Sequence, residues 1–315
     1  MGKKEECSLY IGIDIGGTKC AVIRGGADDV IEEKLRFATT TKDETLERIF
    51  DAVAQLGPGK AIGVSCGGPL DEKRGLILSP PNLPGWDRVP LTELLTEKFG
   101  VPAKIRNDAN ACAVAEWKFG AGKGTENMVF MTFGTGLGAG LILNGRLYAG
   151  STGSAGELGH IRLADFGPAG YGKCGSFEGF CSGGGLRELG QTMARSYVQR
   201  GSIPAFWKPD FTVADMAEAA RAGDPCAREI FDTCGTMLGK GLAVVCDLLD
   251  PELILIGSVY ARCRDLLEAP MEKIWKQETL SPITEHCRIS VPALGEQIGD
   301  LAALTVAMEA ANELY

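Results

Sequence analysis

The sequence predicts an α/β protein with two lobes around a cleft, in which each lobe opens with a β-hairpin and continues through helices and further strands. Its 315 residues exceed what one hydrophobic core usually supports. Residues 9–26, LYIGIDIGGTKCAVIRGG, contain a strand, a corner of glycine and threonine, and a returning strand. Residues 127–150, NMVFMTFGTGLGAGLILNGRLYAG, repeat that order. We therefore expect an internally duplicated chain.

Strands and helices alternate along the first lobe. The apolar pattern predicts strands at 8–17, 18–26, 28–39, 61–68 and 103–107. It predicts helices at 44–57, 91–100 and 109–120. In the second lobe it predicts helices near 183–200, 213–221 and 226–249, strands at 252–258 and 288–292, and a final helix at 299–314. We expect a small lobe of residues 1–118, joined by the C-terminal helix 299–315, and a large lobe of residues 119–298.

Composition excludes several classes of function. The net charge of -9, without a basic patch, disfavours nucleic acid and anionic lipid as partners. The N-terminal MGKKEECSLY lacks the apolar core of a signal peptide, and no apolar run is long enough to span a bilayer. The 11 cysteines are scattered and odd in number, which favours reduced thiols over a disulfide framework. A cytoplasmic protein is expected.

The first corner, DIGGTK, carries more polar groups than a turn needs. Gly16 and Gly17 alone would suit a tight turn that requires positive φ. Asp14, Thr18 and Lys19 favour a second interpretation, in which backbone N–H groups and the Thr18 hydroxyl bind phosphate oxygens and Asp14 holds a hydrated Mg²⁺. The spacing is not the Walker pattern, because Thr precedes Lys and a strand follows. On the residues alone, both interpretations stay open.

The second corner, FGTGLGAG, satisfies a dinucleotide-binding fingerprint formally, through Gly134, Gly136 and Ala139. That fingerprint opens a helix, whereas the residues that follow here, LILNGRLY, indicate a hairpin. A phosphate-binding turn built on Gly134, Thr135 and Gly136 is therefore the better hypothesis. Two such corners in duplicated lobes favour a nucleotide polyphosphate held from both sides of a cleft.

Four motifs carry a resemblance to a known family. DIGGTK, NDANACAVAE, GTGLGAG and GELGH stand in the order and approximate spacing of the ROK family of sugar kinases. The resemblance runs from near Asp14 to near Gly257. It implies the two-lobed actin-like ATPase and hexokinase fold, related to ribonuclease H, with ATP and Mg²⁺ on one side of the cleft and a hexose on the other. It also implies that Gly257 contacts adenosine, with Ser258 where a second glycine is usual.

The candidate sugar-binding residues lie in two of these motifs. Asn107 or Asp108 could simply be the N-cap of a helix, or Asp108 could be the general base that accepts the hydroxyl proton. The resemblance implies the second role, and it implies that Asn107 binds the sugar. It assigns Glu157, His160 and Glu178 to the ring hydroxyls, although a histidine in such a place is often only a packed side chain.

A zinc motif of the family is altered in this chain. Most members follow the histidine with C-x-C-G-x-x-G-C-x-E, whose three cysteines bind structural zinc together with that histidine. Ala169, Tyr171 and Ser176 occupy the three cysteine positions in AGYGKCGSFE. Cys174 and Cys181 lie nearby without a known ligand spacing. We expect no zinc, with the loop held by packing of Tyr171 and Phe177.

The sequence thus predicts an ATP-dependent hexose kinase, with glucose phosphorylated at its 6-hydroxyl as the expected reaction. Fructose, mannose, allose or an N-acetylhexosamine are alternative substrates. A sugar-responsive repressor would need a DNA-binding domain, and only 13 residues precede Asp14. A non-catalytic sugar-binding protein would be expected to lack Asp108 or the corners. A homodimer is a further expectation from the resemblance.

Overall fold

A computed structural model describes residues 9–27 and 29–312. Ser8 at the start of the first predicted strand, Cys7 and the end of the last predicted helix lie outside the described residues. The chain divides into two compact units. Unit 1 comprises Met1–Gly124, Leu147–Ser154 and Ala293–Tyr315. Unit 2 comprises Thr125–Arg146 and Ala155–Pro292. The expected lobe boundaries at 118 and 298 stay a prediction.

Unit 1 alternates strands and helices as its sequence pattern predicts. In chain order its elements are β1 (Tyr10–Ile15), β2 (Lys19–Gly25), β3 (Ile31–Ala38), α1 (Lys42–Leu56), β4 (Ile62–Cys66), β5 (Leu70–Asp71), β6 (Leu76–Ile77), α2 (Leu91–Phe99), β7 (Ala103–Asn107) and α3 (Asp108–Phe119). Within the described residues the main sheet has five strands in the order β3-β2-β1-β4-β7. The first three strands are antiparallel, whereas β1, β4 and β7 run parallel.

Unit 2 repeats the mixed sheet with a larger set of helices. Its elements follow as β8 (Met128–Phe133), β9 (Leu137–Leu143), β10 (Arg146–Leu147), a 3₁₀ turn (Leu158–His160), β11 (Ala169–Gly170), β12 (Lys173–Cys174), α4 (Phe177–Phe180), α5 (Gly183–Gln199), α6 (Val213–Arg221), α7 (Pro225–Leu249), β13 (Leu253–Ile256), α8 (Val259–Arg262), α9 (Arg264–Glu278), α10 (Ser281–His286) and β14 (Arg288–Ser290). In the described part of the chain the five-stranded sheet has the order β10-β9-β8-β13-β14.

The last helix, α11 (Ile298–Ala310), returns to unit 1 and packs on its sheet. A Cβ atom added to Gly63 of β4 would lie 2.1 Å from the backbone nitrogen of Ala307. A Cβ atom on Gly12 of β1 would lie 2.9 Å from Leu304. These glycines therefore let the helix approach the sheet closely, which a larger residue would prevent.

Each unit has a hydrophobic core of its own. The core of unit 1 lies between its sheet and helices α1 and α2, and it includes the fully buried Trp86. The core of unit 2 lies between its sheet and the long helix α7. Most of the described cysteines are buried and all of them are unpaired, as the scattered positions predict. Among residues 9–27 and 29–312, no helix combines the length and the apolar character needed to cross a bilayer.

Candidate active site

The corner between β1 and β2 is held by its own backbone and by the end of β3. Gly16 donates its N–H to the Lys19 carbonyl at 3.1 Å. The Thr39 hydroxyl donates to the Gly16 carbonyl at 2.7 Å, and the Thr39 N–H donates to the Thr18 carbonyl at 3.0 Å. Within the described residues, the backbone N–H groups of Gly17 and Thr18 have no hydrogen-bond partner. Both residues are exposed, so these donors are free to bind an anion.

Close approach, and not positive φ, explains the two glycines of this corner. Neither Gly16 nor Gly17 has positive φ, so the reason given by the turn interpretation is wrong. A Cβ atom on Gly17 would lie 2.6 Å from the Asn82 carbonyl oxygen and 2.7 Å from its Cβ. Asn82 begins the segment NLPGW (residues 82–86), which no sequence pattern assigns to the site. The fully buried Trp86 anchors that segment against the core of unit 1.

Three parallel strands of unit 1 end at the same edge of the sheet. Asp14 pairs with Ser65 in β4, and Cys66 pairs with Asn107 in β7. A Cβ atom on Gly67, directly after β4, would lie 3.9 Å from the Asp108 Oδ2. Carboxyl ends of parallel strands are where open α/β sheets bind ligands. The fold therefore places Asp14 and Asp108 at a ligand-binding edge of unit 1.

Asn107, and not Asp108, is the N-cap of α3. The Asn107 side-chain oxygen accepts hydrogen bonds from the N–H groups of Ala109 at 3.0 Å and Asn110 at 3.3 Å. Asp108 occupies the first helical position, where its Oδ1 also accepts from Ala109 at 2.9 Å. The cap interpretation is correct for Asn107. The Asp108 Oδ2 is the carboxylate oxygen that faces Gly67.

Asp108 combines solvent access with poor hydration. A water molecule can reach its side chain, so by surface area the residue is exposed. The pKa of its carboxyl is nevertheless raised, because surrounding protein limits hydration of the charged form, and a backbone N–H bond from Ala109 only partly offsets that effect. The exposed surface area of the residue and the hydration of its charged carboxylate are different quantities. The proton affinity follows the hydration of the carboxylate. A reachable carboxyl with raised proton affinity suits a general base.

Charged residues that are distant in the sequence surround Asp14 in the fold. Burial first, and then the carboxylates of Asp300 and Asp108, raise its pKa to about 6. Lys34 and Lys19 act in the opposite direction. Lys34, on β3, forms an ion pair with the buried Asp300 at the start of α11. A cation beside Asp14 would relieve the repulsion between these carboxylates.

A second ion-pair network supports the strand that ends at the candidate base. Glu72 accepts the Asn107 backbone N–H at 2.8 Å and an Arg106 N–H at 3.0 Å. Arg106 is buried and also donates to Glu309 of α11. Lys104 contacts the same Glu309 carboxylate at 2.8 Å. No sequence signal identified these residues, because they are separated in the chain and meet only in the fold.

The corner between β8 and β9 in unit 2 has a different set of anchors. Gly134 donates its N–H to the Gly136 carbonyl at 3.1 Å. Its own carbonyl accepts from Gly183 at 2.7 Å, at the start of α5. Among the described residues, the N–H groups of Thr135 and Gly136 have no hydrogen-bond partner. The duplication thus extends to the hydrogen-bond pattern of the turn, because in the described residues both corners present two free backbone donors.

Glu178 lies directly beside that corner. Its carboxylate accepts the Leu137 N–H at 2.9 Å, and a Cβ atom on Gly136 would lie 2.7 Å from its Oε2. Glu157 directly precedes the short 3₁₀ turn and His160 is its last residue, with the His160 N–H donating to the Glu157 carbonyl at 3.2 Å. Both of these side chains are exposed. His160 is therefore not the packed, buried histidine of the alternative interpretation.

Gly257 and Ser258 follow β13 at the carboxyl edge of the second sheet. The Gly257 N–H donates to the Met131 carbonyl of the parallel strand β8 at 3.0 Å. Ser258 has φ +54° and ψ −112°, a conformation that residues other than glycine rarely adopt. Its Oγ would lie 3.8 Å from a Cβ atom on Gly134. Ser258 therefore lies beside the second corner.

The described residues at the altered zinc motif make contacts of other kinds. The buried Ser176 caps α4 by accepting the Gly179 N–H at 3.1 Å. The buried Cys181 thiol points to the Cys234 carbonyl at 3.6 Å, whereas Cys174 is exposed. Within the described part of the chain, no group of three or more His, Cys, Asp and Glu side chains could hold a metal ion. The absence of zinc from the purified protein stays a prediction.

The packing expected around the altered motif is correct for only one of its two aromatic residues. Phe177 is fully buried in the core of unit 2, as expected. Tyr171 is 67% exposed, so it fills no interior space. Polar contacts hold the loop instead, including an Arg162 guanidinium bond to the Cys174 carbonyl at 2.7 Å.

The two mixed five-stranded sheets with their helices define an actin-like fold. The chain belongs to the ROK family, which matches residues 10–310. A glucokinase of Streptomyces coelicolor is 32% identical over 320 residues, covering 97% of this chain and 98% of that protein. A xylose repressor of Caldicellulosiruptor bescii is 26% identical and covers 93% of this chain and 76% of the repressor.

Among solved structures, the crystal structure of a ROK family glucokinase from Streptomyces griseus is similar over nearly all of its length. It superposes with a TM-score of 0.77 at 31% identity, covering 96% of this chain and 99% of that one. That enzyme was crystallised in complex with glucose and AMPPNP. The family thus includes sugar kinases and repressors, and its glucokinases are similar to this chain over their full length.

Proposed function

We propose that this protein is an ATP-dependent hexose kinase that transfers the γ-phosphoryl group to the 6-hydroxyl of glucose. The observation that carries the proposal is Asp108, a reachable carboxyl of raised pKa next to the helix cap Asn107. Phosphoryl transfer to a hydroxyl needs an acceptor for the hydroxyl proton. The similarity to glucokinases, one of them bound to glucose and AMPPNP, supports glucose and ATP as substrates.

The proposed roles are divided between the two units. In unit 1, Asp108 takes the proton from the sugar hydroxyl, and the Asn107 side-chain amide binds a neighbouring hydroxyl. In unit 2, Glu157, His160 and Glu178 bind the remaining hydroxyls. The free N–H groups of Gly17 and Thr18, and those of Thr135 and Gly136, bind phosphate oxygens. Lys19 adds positive charge, and Gly257 contacts the adenosine.

Asp14 is the proposed site of the metal that accompanies ATP. The fit rests on its raised pKa near 6, which reflects burial and two further carboxylates and which a divalent cation would reverse. Mg²⁺ prefers one or two carboxylates together with phosphates and water, so a single Asp14 ligand is sufficient. When bound, Mg²⁺ neutralises charge on the transferred phosphoryl oxygens. Asp108 remains separate from this role and handles only the proton.

A coupled ADP-release assay over a panel of hexoses tests the proposal. We expect turnover with glucose at micromolar to millimolar KM, and weaker or no turnover with mannose, fructose, allose and N-acetylglucosamine. Preferred turnover of one of those sugars would keep the kinase and replace the substrate. Activity with glycerol or a carboxylate, and with no hexose, would overturn the proposal.

The repressor relative supports a second candidate, a sugar-binding protein without catalysis. This alternative predicts sugar binding by calorimetry with no hexose-dependent ADP release. The Asp108→Asn variant separates the two, because the kinase proposal expects it to abolish ADP release and to retain sugar binding. If wild type and variant both bind sugar and neither releases ADP, the second candidate is correct.

A further inference from the structure

The hairpin β11–β12 has an unusual residue in its turn. Ala169 pairs with Cys174 and Gly170 with Lys173, which leaves a two-residue loop of Tyr171 and Gly172. Both loop residues have positive φ, +49° at Tyr171 and +75° at Gly172, the signature of a type I′ turn. Asn, Asp or Gly is preferred at the first position, and an aromatic residue adopts that conformation rarely. A tyrosine in this conformation directs attention to the contacts of its side chain.

The side chain of that tyrosine contacts the candidate sugar ligand His160. The two ring centroids are 5.1 Å apart and the planes meet at 63°, an edge-to-face arrangement. The same hairpin also holds the His160 backbone, because Lys173 Nζ donates to the His160 carbonyl at 2.5 Å. One hairpin therefore contacts both the ring and the main chain of this histidine.

The hairpin itself is fixed to the body of unit 2. The Arg162 guanidinium donates to the Cys174 carbonyl at 2.7 Å. Directly after the hairpin, Gly175 donates its N–H to the Pro168 carbonyl at 3.0 Å and accepts from Leu163 at 2.9 Å. Tyr171 is exposed, so its contact with His160 is not a by-product of core packing. The fixed hairpin therefore holds the Tyr171 ring against the His160 imidazole.

We propose that Tyr171, with Lys173, positions the His160 imidazole for sugar binding and makes that position independent of a metal. The sugar-binding role of His160 rests on the proposed function, whereas the contact with Tyr171 does not. In this chain the aromatic edge of Tyr171 limits the orientations of the imidazole ring, as a metal ion does when it binds a histidine, and the Lys173 bond holds the backbone that carries the ring. Tyr171 is a positioning residue and makes no contact with the reacting atoms.

Kinetics on turn variants separate this role from a structural one. Tyr171→Asn places the preferred residue in the type I′ turn, so the melting temperature should stay equal or rise. The KM for glucose should nevertheless increase roughly tenfold, with little change in kcat or in the KM for ATP, because a binding group has lost its orientation. Tyr171→Phe keeps the ring and should behave as wild type. Phe166→Ala removes another exposed aromatic side chain and should have no effect.

Two outcomes would overturn the proposal. If Tyr171→Asn retains the wild-type KM for glucose, the ring does not position the sugar ligand. If Phe166→Ala raises that KM as much as Tyr171→Asn does, the effect belongs to the whole loop. Wild-type protein that neither binds nor phosphorylates any hexose would instead contradict the proposed function, and the contact is then tested by spectroscopy.

Proton NMR of the imidazole reads the contact without any sugar. The chain has 2 histidines, so His286→Gln assigns the His160 ring signals. Those signals should shift in Tyr171→Asn and stay in place in Tyr171→Phe, because the ring current of residue 171 acts on them. Unchanged signals in Tyr171→Asn would show that the contact is absent in solution, whether or not the protein is a kinase.

Metal analysis completes the test. Purified protein should contain no stoichiometric zinc, and a strong chelator followed by fresh Mg²⁺ should alter neither the melting temperature nor the KM for glucose. About one zinc per chain, lost in His160→Ala, would overturn the metal-independent position. It would also mean that Cys174 or Cys181 acts as a ligand after rearrangement.

Discussion

The two glycine corners have the same backbone design and different surroundings. Each joins two antiparallel strands, closes on one internal N–H bond and leaves two N–H groups free, at Gly17 and Thr18 in unit 1 and at Thr135 and Gly136 in unit 2. The surroundings set them apart. The first corner follows Asp14, whose neighbours are charged, whereas the second is anchored by the N-terminus of α5.

This difference teaches that the two units share the backbone design of the turn, whereas the charged groups around each turn depend on how that unit packs. In unit 1 the carboxyl ends of parallel strands collect Asp14 and Asp108, and α11 adds Asp300. In unit 2 Glu178 lies beside the equivalent turn, but its carboxylate already accepts the Leu137 N–H. We therefore assign proton and metal handling to unit 1, and expect substitutions in the two units to have different consequences.

The largest effect is expected at Asp108. Asp108→Asn should lower kcat by about 10²–10⁴-fold, because the amide keeps the shape of the side chain and cannot accept a proton. Glucose affinity, measured by calorimetry, should persist. In wild type, activity should rise with pH as this carboxyl of raised pKa loses its proton. A folded variant with near-normal kcat would show that Asp108 is not the general base and has only a structural role at the start of α3.

The next effect concerns the stability of the strand behind that base. Arg106→Met should lower the free energy of unfolding by about 3 kcal/mol, because Glu309 and Glu72 lose a buried partner. Lys104 still contacts Glu309, which keeps the loss at the lower end of such cases. Glu272→Gln breaks an exposed pair with Lys276 in unit 2 and should cost about 0.5 kcal/mol or less. Equal losses in urea denaturation would contradict the proposed difference between buried and exposed pairs.

A smaller effect, of opposite sign, is expected at Asp14. Its pKa is about 6 in the fold and the ordinary value is 3.8, so the folded state binds the proton more tightly. The free energy of unfolding should therefore fall as the pH rises from about 4 to about 6, and it should stay lowered at neutral pH. Asp14→Asn should remove this loss and stabilise the protein by about 1–3 kcal/mol at pH 7.

The same Asp14→Asn variant should lose use of Mg·ATP while glucose affinity without nucleotide stays unchanged. Thermal melts at pH 4.5 and pH 7.5 provide the control, because the stabilisation should shrink at the lower pH. A variant that is less stable at pH 7.5 than wild type would show that the Asp14 charge is favourably paired in the fold.

The smallest effects separate the two corners directly. Gly17→Ala should destabilise unit 1 by about 1–2 kcal/mol, because the new Cβ meets the Asn82 backbone at 2.6 Å. Gly134→Ala should leave the melting temperature unchanged, since the nearest atom, Ser258 Oγ, is 3.8 Å away. It should still raise the KM for ATP if that space receives nucleotide. Equal melting temperatures for the two variants would mean that the Asn82 segment can shift to accept the new Cβ atom at little cost in stability.

Much of the molecule was predictable because its signals are local. Strand and helix periodicity indicated most elements, and the repeated corners indicated the duplication. Helix α9 escaped prediction, since Pro270 interrupts its pattern. In the fold Pro270 lies against α7, where a Cβ atom on Gly235 would be 2.5 Å from the proline ring. Packing between those helices offsets a poor local propensity.

The sequence by itself determined the two glycine corners, the Asn107–Asp108 pair and the altered zinc motif, because each is a short segment whose residue types have local meaning. Only the tertiary structure decided which charges surround them. Lys34 and Asp300 are 266 positions apart, yet they form an ion pair, and both charges act on the pKa of Asp14, which Asp300 raises and Lys34 lowers. Hydration and Coulomb interactions depend on distance through space, which spacing along the chain does not encode.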